Sequence, residues 1–480
     1  MKLNTANEFK KSLKKLQRKI FIMGTEVSDV TSHAITLPHV NCAAMTYELG
    51  NVPEYENLLY AISHLSGEKI SRFTHIHQSI DDLVKKLKMM RLLGQKTAAC
   101  FQRCVGFDGL NAVYSVTYEV DKKYNTKYHD RFKEYLKFIQ TENLMVTGAM
   151  TDAKGDRSLR PAEQKDKDSF LHIVEKRKGG IVVRGAKFHQ TGSANSHEIL
   201  VMPTLSMRED EKEFALSFAI PSDTKGVKFI FGRQMNDTRR MEGCSIDTGT
   251  PFGAVGGECM IIFDNVFVPE ERVFLCGENE FTGILVDRFA SAHRSNYGAC
   301  KVGLADVLIG ATALVAEYLG IDRVSHVKDK LAEMIHLNET LHASALACAY
   351  EGSRTPSGAY IVNPLYANVT KLNVTRYLYE IARLSHDIAG GFVATLPSEK
   401  DINTEGTGEF ILKFLKAKDG IPPENRVRVG RLIENLTGPT SLIEAMHGAG
   451  SPQAQKVIIQ KLGNLEEKKK LAKDIAGIRD

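Results

Sequence analysis

Gly148-Ala-Met-Thr-Asp-Ala-Lys-Gly-Asp-Arg157 is where the texture of this 480-residue chain changes. Before it, apolar residues recur at helical spacing. Phe9, Leu13, Leu16 and Ile20 form one such stripe, Asp81–Leu93 repeats it with charges on the opposite face, and helical character runs through Cys100 to Asp130–Asn143. After it, Gly, Asp and Pro punctuate short β-rich runs at Gly180–Val183, Ile199–Met202, Phe214–Ile220, Val227–Phe231 and Cys259–Val268. Runs of that length between turn residues predict an antiparallel β domain. From about Phe281 the helical period returns in Leu304–Tyr318, Val327–Tyr350 and Leu372–Ile388, with a loop at Pro397–Gly408. The expectation is an α+β chain of three domains: helical over 1–147, β over 148–280, and a helical bundle over 281–480.

That order is not a doubly wound sheet, and the motifs agree. No G-x-G-x-x-G follows a strand, Gly448-Ala449-Gly450 fails at the third glycine, and Gly94-Gln95-Lys96-Thr97 only resembles the tail of a phosphate-binding loop. The formal charge of +5 comes from 63 basic and 58 acidic residues without long single-sign blocks, which gives no electrostatic case for nucleic acid. Met1–Lys15 is polar and lysine-rich, unlike a secretory signal. Val302–Gly320 is apolar but carries Asp306 and Glu317, so it predicts a buried helix and not a membrane span. A cytoplasmic chain follows as the expectation, with its eight scattered cysteines as thiols, most of them packed as small apolar residues.

Two of those thiols, Cys100 and Cys104, stand four apart in a stretch read as helix, Leu92–Cys104. That spacing sets both on one face about 6 Å apart. His293 and Cys300 stand seven apart, nearly on one face but about 10.5 Å along the axis. A long imidazole covers part of that gap, or a break at Gly298 closes it. Three cysteines and a histidine hold either zinc or a [4Fe–4S] cluster, and spacing does not choose. Two further segments suit a flavin: Met150, Thr151, Asp152, Gly155, Asp156 and Arg157 at the helix-to-β boundary, and His189, Gln190, Thr191, Gly192, Ser193, Asn195 and Ser196 after a strand. Their small and hydroxyl side chains allow close approach to a ring or phosphate; the competing reading is an ordinary polar loop.

Taken together, Asn41–Leu49, Leu92–Gly106, Gly148–Arg157, Gly185–His197, Phe263–Pro269, His293–Cys300 and Met446–Gln453 resemble the 4-hydroxybutyryl-CoA dehydratase family over essentially the whole chain. More distantly they resemble the flavin-dependent 4-hydroxyphenylacetate 3-hydroxylase family. The resemblance implies an acyl-CoA dehydrogenase-like fold: an N-terminal helical domain, a central antiparallel β domain and a C-terminal helical bundle. It also implies a homotetramer with FAD held partly across a subunit interface, where Gly390, Gly391, Pro397 and Ser398 are reached by a neighbour's FAD. The dehydratases hold a [4Fe–4S] cluster on positions matching Cys100, Cys104, Cys300 and His293; the hydroxylases lack the set. The dehydratase branch is therefore expected, with a flavin-dependent aromatic hydroxylase as the alternative.

The implied reaction converts 4-hydroxybutyryl-CoA to crotonyl-CoA, and vinylacetyl-CoA is isomerised by the same proton movements. The C3 hydrogen that must leave is not acidified by the thioester, so a base alone is insufficient. The family route removes the C2 proton, takes one electron into the flavin, releases C3–H and water with iron as Lewis acid, and returns the electron. By the same resemblance His293 is a displaceable ligand and candidate C2 base. Tyr297 positions the hydroxyl or a proton, Glu258 joins the proton relay, Glu444 matches a family carboxylate near the substrate, and Lys301 stabilises flavin or thioester oxygen charge. An iron open to substrate is open to oxygen, so loss of activity in air is expected.

Overall fold

The computed structural model describes residues 1–234, 237–242, 245–249, 252 and 257–478. Its helices begin where local chemistry favours them. Ser79 caps Ile80–Thr97 by accepting the Asp82 amide, and Asn363 caps Pro364–Ala389, where Pro364 takes the first helical position. The first third carries α1 (Ala6–Leu13), α2 (Leu37–Leu49), α3 (Glu56–Leu59), α4 (Ile80–Thr97), α5 (Cys104–Tyr124) and α6 (Tyr128–Glu142).

It is not helical throughout. Four strands lie among these helices: β1 (Lys19–Ile22), β2 (Thr25–Glu26), and the hairpin of β3 (Tyr60–Ile62) and β4 (Lys69–Ser71). Ile20, expected on a helical stripe with Phe9 and Leu13, lies instead on β1. The run Lys-Ile-Phe-Ile buries Ile20 and Ile22 alternately, which is the strand period and not the helical one.

Eight strands follow: β5 (Val146–Ala149), β6 (His172–Arg177), β7 (Gly180–Thr191), β8 (Glu198–Val201), β9 (Leu216–Pro221), β10 (Val227–Phe231), β11 (Glu258–Pro269) and β12 (Val273–Cys276). With β1 and β2 they build a six-stranded sheet in the order β2-β1-β10-β11-β7-β6 and a four-stranded sheet in the order β12-β9-β8-β5. The sheets are mixed, which corrects the antiparallel expectation. β1 pairs parallel with β10, Lys19 opposite Lys228, and β5 pairs parallel with β8, Val146 opposite Glu198. Both pairs are joined by long connections, the condition under which parallel pairing is possible.

Short α7 (Asp237–Glu242) and α8 (Ser245–Thr248) precede β11. After β12 come the long helices α9 (Thr282–Tyr318), α10 (Ser325–Tyr350) and α11 (Pro364–Ala389). The loop expected at Pro397–Gly408 contains the one-turn α12 (Glu399–Ile402); α13 (Gly408–Phe414), α14 (Pro423–Thr437), α15 (Pro439–His447), α16 (Pro452–Leu462) and α17 (Leu465–Ala476) complete the chain. Among the described residues, the α9 region is the one helix long and apolar enough to cross a membrane, and 61% of its apolar window is buried inside the protein. It runs as a core helix, with Asp306 taken up by Arg91 of α4 at 2.9 Å. The seven described cysteines are free thiols; Cys244 lies outside the described residues.

Candidate active site

α4 stops at Thr97 because Ala98 takes a left-handed conformation (φ +50°) while its N–H still reaches Gly94 O. Gln102 has a second positive φ, +67°, and α5 begins with Cys104. Cys100 therefore lies within a break between two helices while Cys104 opens the second, and the two do not share one helix face. His293 and Cys300 do share one: α9 is unbroken through Gly298.

The two halves meet because α4 and α9 approach backbone to backbone. A Cβ on Gly94 would stand 2.5 Å from Cys300 O, and one on Gly303 would stand 2.2 Å from Arg91 O. Cys100, Cys104, His293 and Cys300 then line one small cavity of about 30 Å³, together with Thr191, Asn296, Tyr297, Lys301 and Glu444. A hydrogen bond with the Cys100 thiol, and then burial, push the Cys104 thiol well above its usual range; burial pushes Cys300 to about 12. Burial raises other thiols similarly, Cys259 to about 12 and Cys348 to about 11, so what sets this group apart is the convergence of three thiols and one imidazole on a single cavity. Among the described residues no three such donors are set to hold a single ion. A four-iron cluster takes one protein ligand per iron, so its ligands stand further apart.

Four of the five expected acid–base residues line this cavity, and the fifth, Glu258, is bonded to its wall. Thr191 Oγ1 donates to Glu258 Oε1 at 3.3 Å, and burial, then the charge of Glu444, raise the Glu258 carboxyl to about 8. Lys301 is ion-paired with Glu444. Burial opposes the Lys301 charge, but the Glu444 carboxylate outweighs it and raises the lysine above its usual value. The Tyr297 hydroxyl lies against Gly448, where a Cβ would stand 1.7 Å from Oη.

Sequence reasoning missed the layer behind these groups. His293 Nδ1 lies 2.8 Å from Asp108 Oδ2, which also accepts from Asn296 Nδ2 at 2.6 Å, while Asp108 Oδ1 accepts from Lys86 Nζ at 2.5 Å. Lys371, fully buried, donates to Ala445 O (2.7 Å) and Met446 O (3.1 Å), and its Nζ lies 4.6 Å from the Tyr297 ring centre. Burial lowers Lys371 to about 7. The available signal was a single charge inside an apolar helical run, as in Gly106-Phe-Asp-Gly-Leu110.

The flavin segments are placed less simply. Asp152 pairs with buried Lys187 at 2.8 Å, and Lys187 also donates to Met150 O. Gln190 Nε2 donates to Thr151 O, Ser193 Oγ to Gln190 O, Ser196 Oγ to Gly192 O, and Asn195 Nδ2 to Gln102 Oε1. Most of these side chains are thus occupied inside the protein. Gly155, Asp156, Arg157 and His189 are exposed, and Thr191 reaches the cysteine cavity. Gly390 and Gly391 line a different cavity of about 780 Å³ with Arg239, His386 and Glu434. Pro397 O accepts from Arg431 at 2.9 Å, and Ser398 caps α12.

Residues 5–275 match the family described as 4-hydroxyphenylacetate 3-hydroxylase N terminal, and residues 282–477 match its C-terminal counterpart. The glutaryl-CoA dehydrogenase structure with glutaryl-CoA shares the fold at 13% identity and a TM-score of 0.52, covering 93% of this chain and 96% of that one. The oxygenase component of 4-hydroxyphenylacetate 3-monooxygenase complexed with FAD superposes with a TM-score of 0.84 at 23% identity, over 98% of each chain. An oxygen-tolerant archaeal 4-hydroxybutyryl-CoA dehydratase from N. maritimus reaches 0.97 at 48% identity, over 100% of this chain and 96% of that one. The 4-hydroxybutyryl-CoA dehydratase/vinylacetyl-CoA-Δ-isomerase of Clostridium aminobutyricum is 53% identical over 99% of this chain and 100% of its own length. Identity above one half from end to end separates the dehydratase branch from the hydroxylase branch, and the chain belongs to the 4-hydroxybutyryl-CoA dehydratase family.

Proposed function

We propose that this protein dehydrates 4-hydroxybutyryl-CoA to crotonyl-CoA and isomerises vinylacetyl-CoA, with FAD and a [4Fe–4S] cluster as its cofactors. The observation that carries the reading is the full-length identity to the clostridial enzyme. The cluster is supported by the donor set, three thiols and one imidazole around one cavity: Cys100, Cys104, Cys300 and His293 would hold it. FAD is supported by Thr191, which joins the His189–Ser196 segment to that cavity, and by the open cavity beside Gly390 and Gly391. When bound, the flavin supplies a one-electron sink and the cluster a Lewis-acidic iron for the departing hydroxyl.

The chain's own groups move the protons and hold the substrate. His293 Nε2, when not engaged as a ligand, is the base for the C2 proton. Glu258, with its carboxyl raised to about 8, carries a proton at neutral pH and can give it to the leaving hydroxyl. Lys301, held cationic beside Glu444, offers positive charge to the thioester oxygen as negative charge develops there. Tyr297, fixed between Gly448 and Lys371, orients the hydroxyl. A homotetramer with FAD near the subunit interface, in the cytoplasm, completes the reading. The aromatic hydroxylase alternative needs no cluster.

Anaerobically purified protein tests the cofactors and the reaction together. The expected result is flavin, about four irons and matching sulfide per chain, with crotonyl-CoA formed from 4-hydroxybutyryl-CoA. Protein free of iron that hydroxylates a phenol in the presence of reduced flavin would refute it. A parallel assay in air measures the oxygen sensitivity expected of an exchangeable iron; the archaeal relative is described as oxygen-tolerant.

A further inference from the structure

We infer that Asp108, held by Lys86 and Asn296, is a positioning residue that fixes which ring nitrogen of His293 is offered to the cavity. The inference rests on the cluster reading above. Asp108 lies one turn after Cys104 on α5, and Lys86 lies on α4, so the two helices flanking the thiol-bearing break also carry this pair. Both side chains are 1% exposed. Lys86 Nζ donates to Asp108 Oδ1 at 2.5 Å and to Ala292 O at 3.3 Å, which ties the carboxylate to the backbone next to His293.

A packing ion pair would need only the Lys86 contact. Here the second carboxylate oxygen is aimed elsewhere, at His293 Nδ1 (2.8 Å) and Asn296 Nδ2 (2.6 Å). A carboxylate oxygen accepts and does not donate, so His293 Nδ1 must carry a hydrogen, and in the neutral ring that a metal ligand requires Nε2 then carries the lone pair. Nε2 has no hydrogen-bond partner among the described residues, and His293 lines the cavity with the three thiols. Phe289 stacks beside the ring, 15° from parallel with centres 5.6 Å apart, and sets its plane; within that plane the hydrogen bond to Asp108 selects the orientation that presents Nε2 to the cavity. A carboxylate bonded to the far ring nitrogen, setting tautomer and orientation, is a recurrent support for ligand histidines, and its loss costs about 10–100-fold in metal affinity or activity.

Asp108→Asn separates this role from packing. Lys86 retains the amide oxygen, so the amide Nδ2 turns towards His293, Nδ1 becomes the acceptor, and the hydrogen moves to Nε2. The expected protein is folded and flavin-loaded, with a fourth iron that is lost or exchangeable and an altered Mössbauer signature for the histidine-bound iron. Its kcat should fall by about 10–100-fold, with KM for 4-hydroxybutyryl-CoA little changed. Asp108→Asn with the parent's iron content, spectrum and kcat overturns the inference. Should that variant not fold, Asn296→Ala decides, since it removes only one donor from Oδ2: a looser fourth iron supports the inference, and a parental spectrum overturns it. Parent protein without iron sinks the cluster reading itself, which is a different result from a parent with iron and an indifferent Asp108.

Discussion

Cys100 and Cys104 share a cavity, although the helix that would have placed them on one face ends before the first of them. Because each thiol has a separate direction of approach, none can substitute for another. Cys100→Ala, Cys104→Ala and Cys300→Ala should each lose iron and dehydratase activity, whereas Cys42→Ala and Cys348→Ala, buried in packing, should keep both. Iron content and anaerobic turnover of the five variants check this. Gly448 is a second sharp test, since its Cβ would meet Tyr297 Oη at 1.7 Å. Gly448→Ala should destabilise by about 1–3 kcal/mol and lower kcat at least tenfold. Adding Tyr297→Phe should recover part of the melting temperature and none of the activity. The identities of the donors were legible because Cys and His in pairs are rare and chemically pointed. The left-handed turn at Ala98 was not, because alanine has no intrinsic preference for that conformation and only tertiary packing imposes it. Asp108 and Lys86 were hidden for a similar reason: in a sequence, a buried charge looks like a surface one until its partner, 22 residues away, is seen.

The α4–α9 contact is the element on which the site depends. Gly303→Ala would place a methyl 2.2 Å from Arg91 O and 2.9 Å from Gln95 N, so the helices must separate and Cys300 must move with them. A loss of about 1–3 kcal/mol together with loss of iron is expected. Gly310, on the same helix but exposed and with nothing within 4 Å of its would-be Cβ, is the control. Gly310→Ala should leave iron unchanged and raise stability by up to about 1 kcal/mol, through helix propensity alone. Thermal melts with iron analysis distinguish the pair. At this scale the sequence was most readable in the long helices and in the five β runs, each of which corresponds to an observed strand. β1 and β5 escaped because four-residue strands that follow directly on helical runs carry too little period of their own to break the helical reading.

Across the molecule, the two sheets, α6 and the turn after β11 are tied by Glu198, Arg272 and Tyr135. Arg272 Nη1 meets Glu198 Oε2 at 2.8 Å, and the guanidinium lies 5.0 Å from the Tyr135 ring centre. Burial raises Glu198 to about 7, with Arg272 partly offsetting the rise. The folded state therefore holds this proton more tightly than the unfolded chain, and this group's contribution to stability falls as pH climbs from about 4.3 to 7. Arg272→Gln removes the partner of the charged form. The variant should lose about 3 kcal/mol at pH 8, but only about 1 kcal/mol at pH 5 from lost ring stacking. Melting temperatures of variant and parent at both pH values give the comparison, and an equal loss at each would exclude the carboxylate as the cause. The parallel seat of β1 against β10 has a consequence of another kind, in time. Residues 19–22 leave the ribosome roughly two hundred residues before Val227–Phe231 exist, an interval of about 10–40 s at usual rates of synthesis. Throughout it Ile20 and Ile22 have no sheet to enter, so a nascent chain truncated before Val227 should be recovered with chaperones or as aggregate, and the completed chain should not.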